Sequence, residues 1–165
     1  MDISLYLINY MQSRFEAGAH VVEIYIADSI KNNTIEIIIK DDGDKIDEEN
    51  QVLESFLALS KICTQVSGEF KHLYHRKHTS VHLEWSLNAN KNYSIKEFHS
   101  LLAMTILNSI SFRIVFTYLS KKGEYVFDSQ KIITEFTKEE LMQKEILMTM
   151  NELLEEHLND VRNNL

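Results

Sequence analysis

Apolar residues in the first seventeen positions recur at intervals of three and four, at Leu7, Ile8, Met11 and Phe15, and Gly18 stands where such a run stops. That spacing turns one face of a helix over 3–17 inward. The period then shortens. Val21 to Ala27 and Thr34 to Lys40 read as strands, the second through its Ile-Glu-Ile-Ile-Ile run, with Asn32-Asn33 at the turn between them. The two predict an antiparallel hairpin packed by the first helix. Asp41-Asp42-Gly43-Asp44 closes the second strand as an acidic turn. Helical spacing returns over 51–66, through Leu53, Phe56, Leu57, Ser60 and Cys63, and Gly68 ends it. Two more strands follow, 69–75 and 78–85, across a turn at Arg76-Lys77. A two-residue turn puts Phe70, Tyr74, Val81, Leu83 and Trp85 on a core face. Lys71, Leu73, His75, His78, Ser80 and His82 then share the solvent face.

The polar stretch Asn88 to Asn92 divides the chain into 1–87 and 93–165. Beyond it, Ser94 and Glu97 have the spacing of a capping box for a helix over 94–108. Strands are predicted at 112–119 and 125–127 around Lys121-Lys122-Gly123, then a long helix from Lys138 to about Asn163. Leu147, Met150, Leu154, Leu158 and Val161 form its apolar stripe. The pattern predicts an α+β protein: a two-layer α/β sandwich with a largely antiparallel sheet packed by helices. A C-terminal hairpin-and-helix extension packs on the first unit.

Composition narrows the function classes. The 165 residues carry 25 acids against 17 bases, a formal charge of -8, which argues against nucleic acid as a main partner. The lone Cys63 excludes an intrachain disulfide and a cysteine-only metal or iron–sulfur cage. No apolar run approaches the ~18 residues of a membrane span, and no basic-then-apolar leader opens the chain, so a cytoplasmic protein is expected. Proline is absent, so no rigid linker is expected. The four glycines, Gly18, Gly43, Gly68 and Gly123, are widely scattered and form no Gly-x-Gly. Walker and dinucleotide loops are thereby excluded, because both need closely spaced glycines to let backbone N–H groups approach phosphate.

Asp41, Asp42, Asp44 and Asp47 do not follow the register of a calcium loop and read as an acidic strand-end turn. Asp41 itself suits either a retained ligand contact or a turn cap. His75, His78 and His82 share one predicted strand face. With Lys71, Arg76 and Lys77 they read as a solvated, weakly basic patch able to meet an acidic partner, rather than a zinc site. Cys63 reads as a buried structural thiol. The final helix, with Met142, Met148 and Met150, suits packing within the chain or docking on another subunit.

The wording of the first 47 residues carries a resemblance: Gln12-Ser13-Arg14-Phe15-Glu16-Ala17-Gly18-Ala19, Val22-Glu23-Ile24-Tyr25-Ile26, and Ile37-Ile38-Ile39-Lys40-Asp41-Asp42-Gly43. The chain resembles the GHKL ATPase superfamily of histidine-kinase ATP-binding domains, gyrase B, Hsp90 and anti-sigma-factor kinases. It looks closest to small bacterial stand-alone ATP-binding proteins of that group. The likeness covers roughly 1–86 and implies the Bergerat type of α/β sandwich.

It also implies a vestigial nucleotide cleft. Asn9 and Ser13 match the helix positions that serve the phosphates and Mg²⁺, with a hydroxyl in place of the metal-binding amide. Asp41 matches the acceptor of the adenine amino group and Gly43 the first glycine of the turn, while Lys45 replaces the second. The lid ending in Gly-x-Gly is missing. The resemblance therefore implies a pseudoenzyme with no catalytic residue, no metal and no cofactor. Such a protein acts as a non-catalytic accessory or regulatory subunit by protein–protein contact. Relatives associated with iron-only hydrogenases suggest a hydrogenase or redox complex as partner. The alternative is a working ATP- and Mg²⁺-dependent ATPase or anti-sigma-type kinase, using Asp41 with Ser13 or Asn9. A homodimer joined through the final helix is the third reading.

Overall fold

A computed structural model describes residues 2–29, 32–46, 52–75, 78–86, 94–108 and 110–161. Helix α1 (Ser4–Glu16) leads into the hairpin β1 (Val21–Ser29) and β2 (Thr34–Asp41). Helix α2 (Val52–Gln65) precedes a second hairpin, β3 (Glu69–His75) and β4 (His78–Ser86). Helix α3 (Phe98–Asn108), the hairpin β5 (Arg113–Ser120) and β6 (Gly123–Asp128), and helices α4 (Ser129–Ile133), α5 (Lys138–Leu141) and α6 (Lys144–Val161) complete the chain.

The six strands form one sheet in the order β3-β4-β2-β1-β5-β6. All neighbours are antiparallel except β1 and β5, which run parallel in the register Val22↔Ile114, Ile24↔Phe116, Ile26↔Tyr118. That parallel pairing inserts the third hairpin beside the first, so segments 1–87 and 93–165 share a sheet. Strand alternation sends Val22, Ile24, Ile26, Ile37, Ile39, Val81, Leu83, Ile114 and Phe116 to one face, all at most 1% exposed. The helices cover that face through Leu7 and Met11 of α1, Leu59 and Ile62 of α2, Leu102 and Ile106 of α3, and Leu154 and Leu158 of α6. The result is a two-layer α/β sandwich with a mostly antiparallel open sheet. At roughly 1.5–3 kcal/mol for each large apolar side chain withdrawn from water, this shared core is the main stabilising term. No helix among the described residues is long and apolar enough to cross a membrane.

Several local expectations need correction. Helix α3 begins at Phe98, not at Ser94. Ser94 instead forms an isolated parallel bridge with Asp2. The Ser94 hydroxyl and the Glu97 N–H both donate to Asp2 Oδ2, at 3.2 and 3.1 Å, so a carboxylate from the chain start replaces the capping box. The single long helix expected from Lys138 is two helices, α5 and α6, and a further short helix, α4, precedes them. Asp128 caps α4 by accepting from Gln130 N–H, Thr137 and Glu140 form a capping box on α5, and α6 restarts at Lys144. The face division on β3 and β4 holds, because His75 pairs with His78 across two intervening residues. Arg76, Lys77, Asp47, Asn88 to Asn92 and Asn163 lie outside the described residues.

Cys63 is fully buried where α2 meets β3, and its thiol donates to the Glu69 carbonyl at 2.9 Å. Gly68 makes that junction possible. A Cβ there would stand 2.6 Å from the Glu84 carbonyl oxygen and 2.9 Å from Cys63 Sγ.

Candidate functional site

The matched cleft residues fall at the end of the sheet where β2 stops beneath α1. Helix α1 turns two rows inward. One is the predicted row; the other is Ile3, Leu7, Tyr10 and Arg14, each at most 2% exposed. Arg14 is thereby carried into the core opposite Asp41, the last residue of β2. Its Nη2 donates to Asp41 Oδ1 at 2.7 Å, and neither side chain is exposed. The same nitrogen donates to Thr79 Oγ1 at 3.1 Å and to the Asp44 carbonyl. Thr79 comes from β4 and is the cross-strand partner of Asp41. One guanidinium therefore ties α1, β2, β4 and the acidic turn together.

Asp41 also caps the turn. Its Oδ1 accepts from Gly43 N–H at 3.0 Å, an Asx turn. The turn-cap reading of Asp41 is what the geometry displays, and the same carboxylate is committed to an internal cation. Gly43 is needed here for close approach. A Cβ would lie 3.0 Å from both Ala19 N and Arg14 Nη2. Asp42 performs a separate task, accepting from His20 and Val21 N–H at 2.7 and 2.9 Å and so anchoring the start of β1. Partial burial raises its carboxyl, but these two N–H groups outweigh that and hold it below the usual aspartate value.

Ser13 is also occupied. It is 8% exposed, its hydroxyl donates to the Tyr10 carbonyl at 2.7 Å, and its oxygen lies 2.7 Å from Ser55 Oγ of α2. Asn9 is exposed on α1. The structure therefore brings Asp41 and Gly43 together with Arg14, seals Ser13 against α2, and leaves Asn9 on the surface. Sequence reasoning missed Arg14, Tyr10 and Thr79. The 3-7-10-14 spacing on α1 was the available signal.

The buried polar groups around this pair are incompletely satisfied. Among the described residues, Arg14 Nε and Nη1, Asp41 Oδ2, Tyr10 OH and His72 Nε2 have no hydrogen-bond partner. Burial pushes the Tyr10 phenol well above its ordinary value, with Arg14 lowering and Asp41 raising it in smaller measure. Burial likewise holds the His72 imidazole below its ordinary value, and the Arg14 charge adds to this. A polar cluster of this kind fixes the register of the elements that meet in it, because any slip strands a charge. Outside the core, a hollow of about 360 Å³ opens beside the turn, lined by Lys40, Asp41, Asp42, His78 and Thr79 among others.

The histidine face divides. His82 Nε2 lies 2.9 Å from Glu36 Oε1 across β2 and β4, while His75 and His78 are exposed at the hairpin end. Among the described residues, no group of three His, Cys, Asp or Glu side chains is placed to hold a metal ion.

No family model matches this chain, and no curated protein does. A solved structure described as the N-terminal domain of a DNA repair protein is similar over 76% of this chain, at 14% identity and a TM-score of 0.48. This chain spans about half, 51%, of that one. A likeness at that level carries no functional argument.

Proposed function

We propose that this chain is a non-catalytic accessory or regulatory subunit that acts by protein–protein contact, on a GHKL-type framework whose nucleotide cleft has become structural. The observation that carries this reading is the fully buried Arg14–Asp41 pair. In the resemblance, Asp41 is the group that accepts the adenine amino hydrogen. Here an adenine would have to displace a guanidinium and leave one buried charge without its partner. That costs about 3–5 kcal/mol, or roughly two to four orders of magnitude in affinity. Ser13 supports the same reading, since its hydroxyl is engaged by Tyr10 and Ser55 rather than turned to a metal. Phosphoryl transfer depends on positioned cations and dipoles at the phosphates, and this cleft spends its cation on Asp41. Within this reading, a hydrogenase or other redox complex as partner rests on the resemblance alone.

Calorimetry with ATP and Mg²⁺ tests the proposal. No binding heat is expected at submillimolar nucleotide. Micromolar binding that Asp41→Asn abolishes would replace it with an ATP-dependent enzyme. Co-purification from the native host identifies the bound protein.

A further inference from the structure

Strand β3 ends one side of the sheet, and among the described residues nothing pairs with its outer edge. An unpaired edge is a template for another strand unless charge, proline or a bulge blocks it. β3 pairs with β4 without a break in register from Glu69 to His75. It contains no proline, and its one lysine, Lys71, forms an exposed ion pair with Glu69 of the same strand at 2.6 Å. Leu73 and Tyr74 are 68% and 39% exposed.

The hairpin register says which backbone groups are free. Two residues separate the paired His75 and His78, so this is the hydrogen-bonded closing pair of a two-residue hairpin. Alternation then directs the N–H and C=O of residues 69, 71, 73 and 75 toward β4, and those of Phe70, His72 and Tyr74 outward. An antiparallel copy centred on His72 matches every outward group. Phe70 faces Tyr74 of the second copy, His72 faces its equivalent, and Tyr74 faces Phe70. Three residues with one donor and one acceptor each form six backbone bonds in this register.

The side chains agree with that alignment. Glu69 falls opposite His75 of the second copy, an acid against a weak base. Leu73 falls opposite the alkyl stem of Lys71. Phe70 and Tyr74 form an aromatic pair on the helix side, extending the cluster in which Phe56 stands edge-on to Phe70 and His72 at 5.2 and 5.0 Å. Burial holds the His72 imidazole below its ordinary value, which disfavours charge on the two central rings. The opposite edge behaves differently. The same construction on β6, whose outward residues are Glu124, Val126 and Asp128, sets Glu124 against Asp128 of the other copy, a carboxylate already forked to Arg113, so no acid–base match arises there.

We propose that β3 is a homodimerisation edge, at which two copies of this chain pair antiparallel about a two-fold axis at His72 and merge their sheets. The contact is isologous and closes after two copies. It is independent of whether the cleft binds nucleotide.

Sedimentation velocity on the full chain, from about 1 to 300 µM, is the first test. A monomer–dimer equilibrium is expected, with a dissociation constant in the micromolar range. Leu73→Lys places a second lysine against Lys71 at both crossings and should weaken the dimer at least tenfold. Leu73 is exposed, so at dilution where both are monomeric the melting curve of that variant should match the unmodified chain. A monomer across the whole range, or a dimer indifferent to Leu73→Lys, overturns the proposal. Cross-linking checks the register. Positions 71 and 73 of opposite copies form a non-hydrogen-bonded pair with Cα atoms about 4.5 Å apart, within disulfide reach. Lys71→Cys mixed with Leu73→Cys should give a disulfide heterodimer under mild oxidation, and neither variant alone should cross-link. Equal yields, or none in the mixture, refute this pairing.

Discussion

Two arginine–aspartate bridges in this molecule have the same chemistry and the same 2.7 Å separation, yet they do different work. Arg14 and Asp41 are both 0% exposed. Arg113 and Asp128 are 46% and 14% exposed, with two parallel bonds from Nε and Nη2 to the two carboxylate oxygens. The outer bridge has the better fork geometry, but water solvates Arg113 and reaches the rim of Asp128, so less is lost when it opens. The buried bridge is geometrically poorer, with one nitrogen serving three acceptors and the other two left over. It matters because its parts have nowhere else to go. Environment, not geometry, ranks the two.

Breaking the inner bridge from the cationic side gives the largest effect. Arg14→Met leaves Asp41 buried with no counter-charge and should cost about 3–5 kcal/mol by urea denaturation. Replacing the pair as a unit, Arg14→Met with Asp41→Leu, should recover much of that loss, although Gly43 N–H then loses its acceptor. Crowding the same bridge comes next. Gly43→Ala drives a methyl toward Ala19 N and Arg14 Nη2 and should cost about 1–3 kcal/mol, read by the same titration. On the outer bridge the two ends differ. Asp128→Ala removes the α4 cap as well and should cost about 1 kcal/mol at pH 7. Arg113 holds the Asp128 carboxyl below its usual range, chiefly by hydrogen bonding. A depressed aspartate stabilises fully above its unfolded value of 3.8 and loses that contribution as pH falls through its folded value. The deficit of Asp128→Ala should therefore shrink between pH 5 and pH 2. Smallest of all, Arg113→Ala should leave the unfolding midpoint within experimental error, and more surely so in high salt.

The same contrast explains what the sequence could reveal. The first two hairpins follow from local alternation, and the structure has both, with β3 and β4 in the expected two-residue-turn register, although Tyr74 at the end of the core face is 39% exposed. The parallel seam between β1 and β5 does not. It joins Val21 to Arg113 across most of the chain, and nothing in either strand names the other. Arg14 was hidden for a related reason. It stands one turn beyond Tyr10 on an inward row, but a charged residue reads as solvated until its buried partner is known, and Asp41 is 27 positions away. Capping signals misled where a distant group competed, as Asp2 does at Ser94 and Glu97. The interruption between α5 and α6 has neither proline nor glycine to announce it. At the end of β2, the Asp41–Gly43 turn was legible from the chain, while Arg14, which packs against it, and Ser55, which meets Ser13, were legible only in three dimensions.

The seal over Cys63 has one more use. The chain carries a single sulfhydryl, closed off at the joint between α2 and β3, with burial raising its pKa and its proton held by Glu69. A thiol-reactive dye can reach it when that joint parts. The labelling rate at rising dye concentration therefore acts as a stopwatch on the detachment of one border of the sheet, and no tag or engineered label is needed to read it.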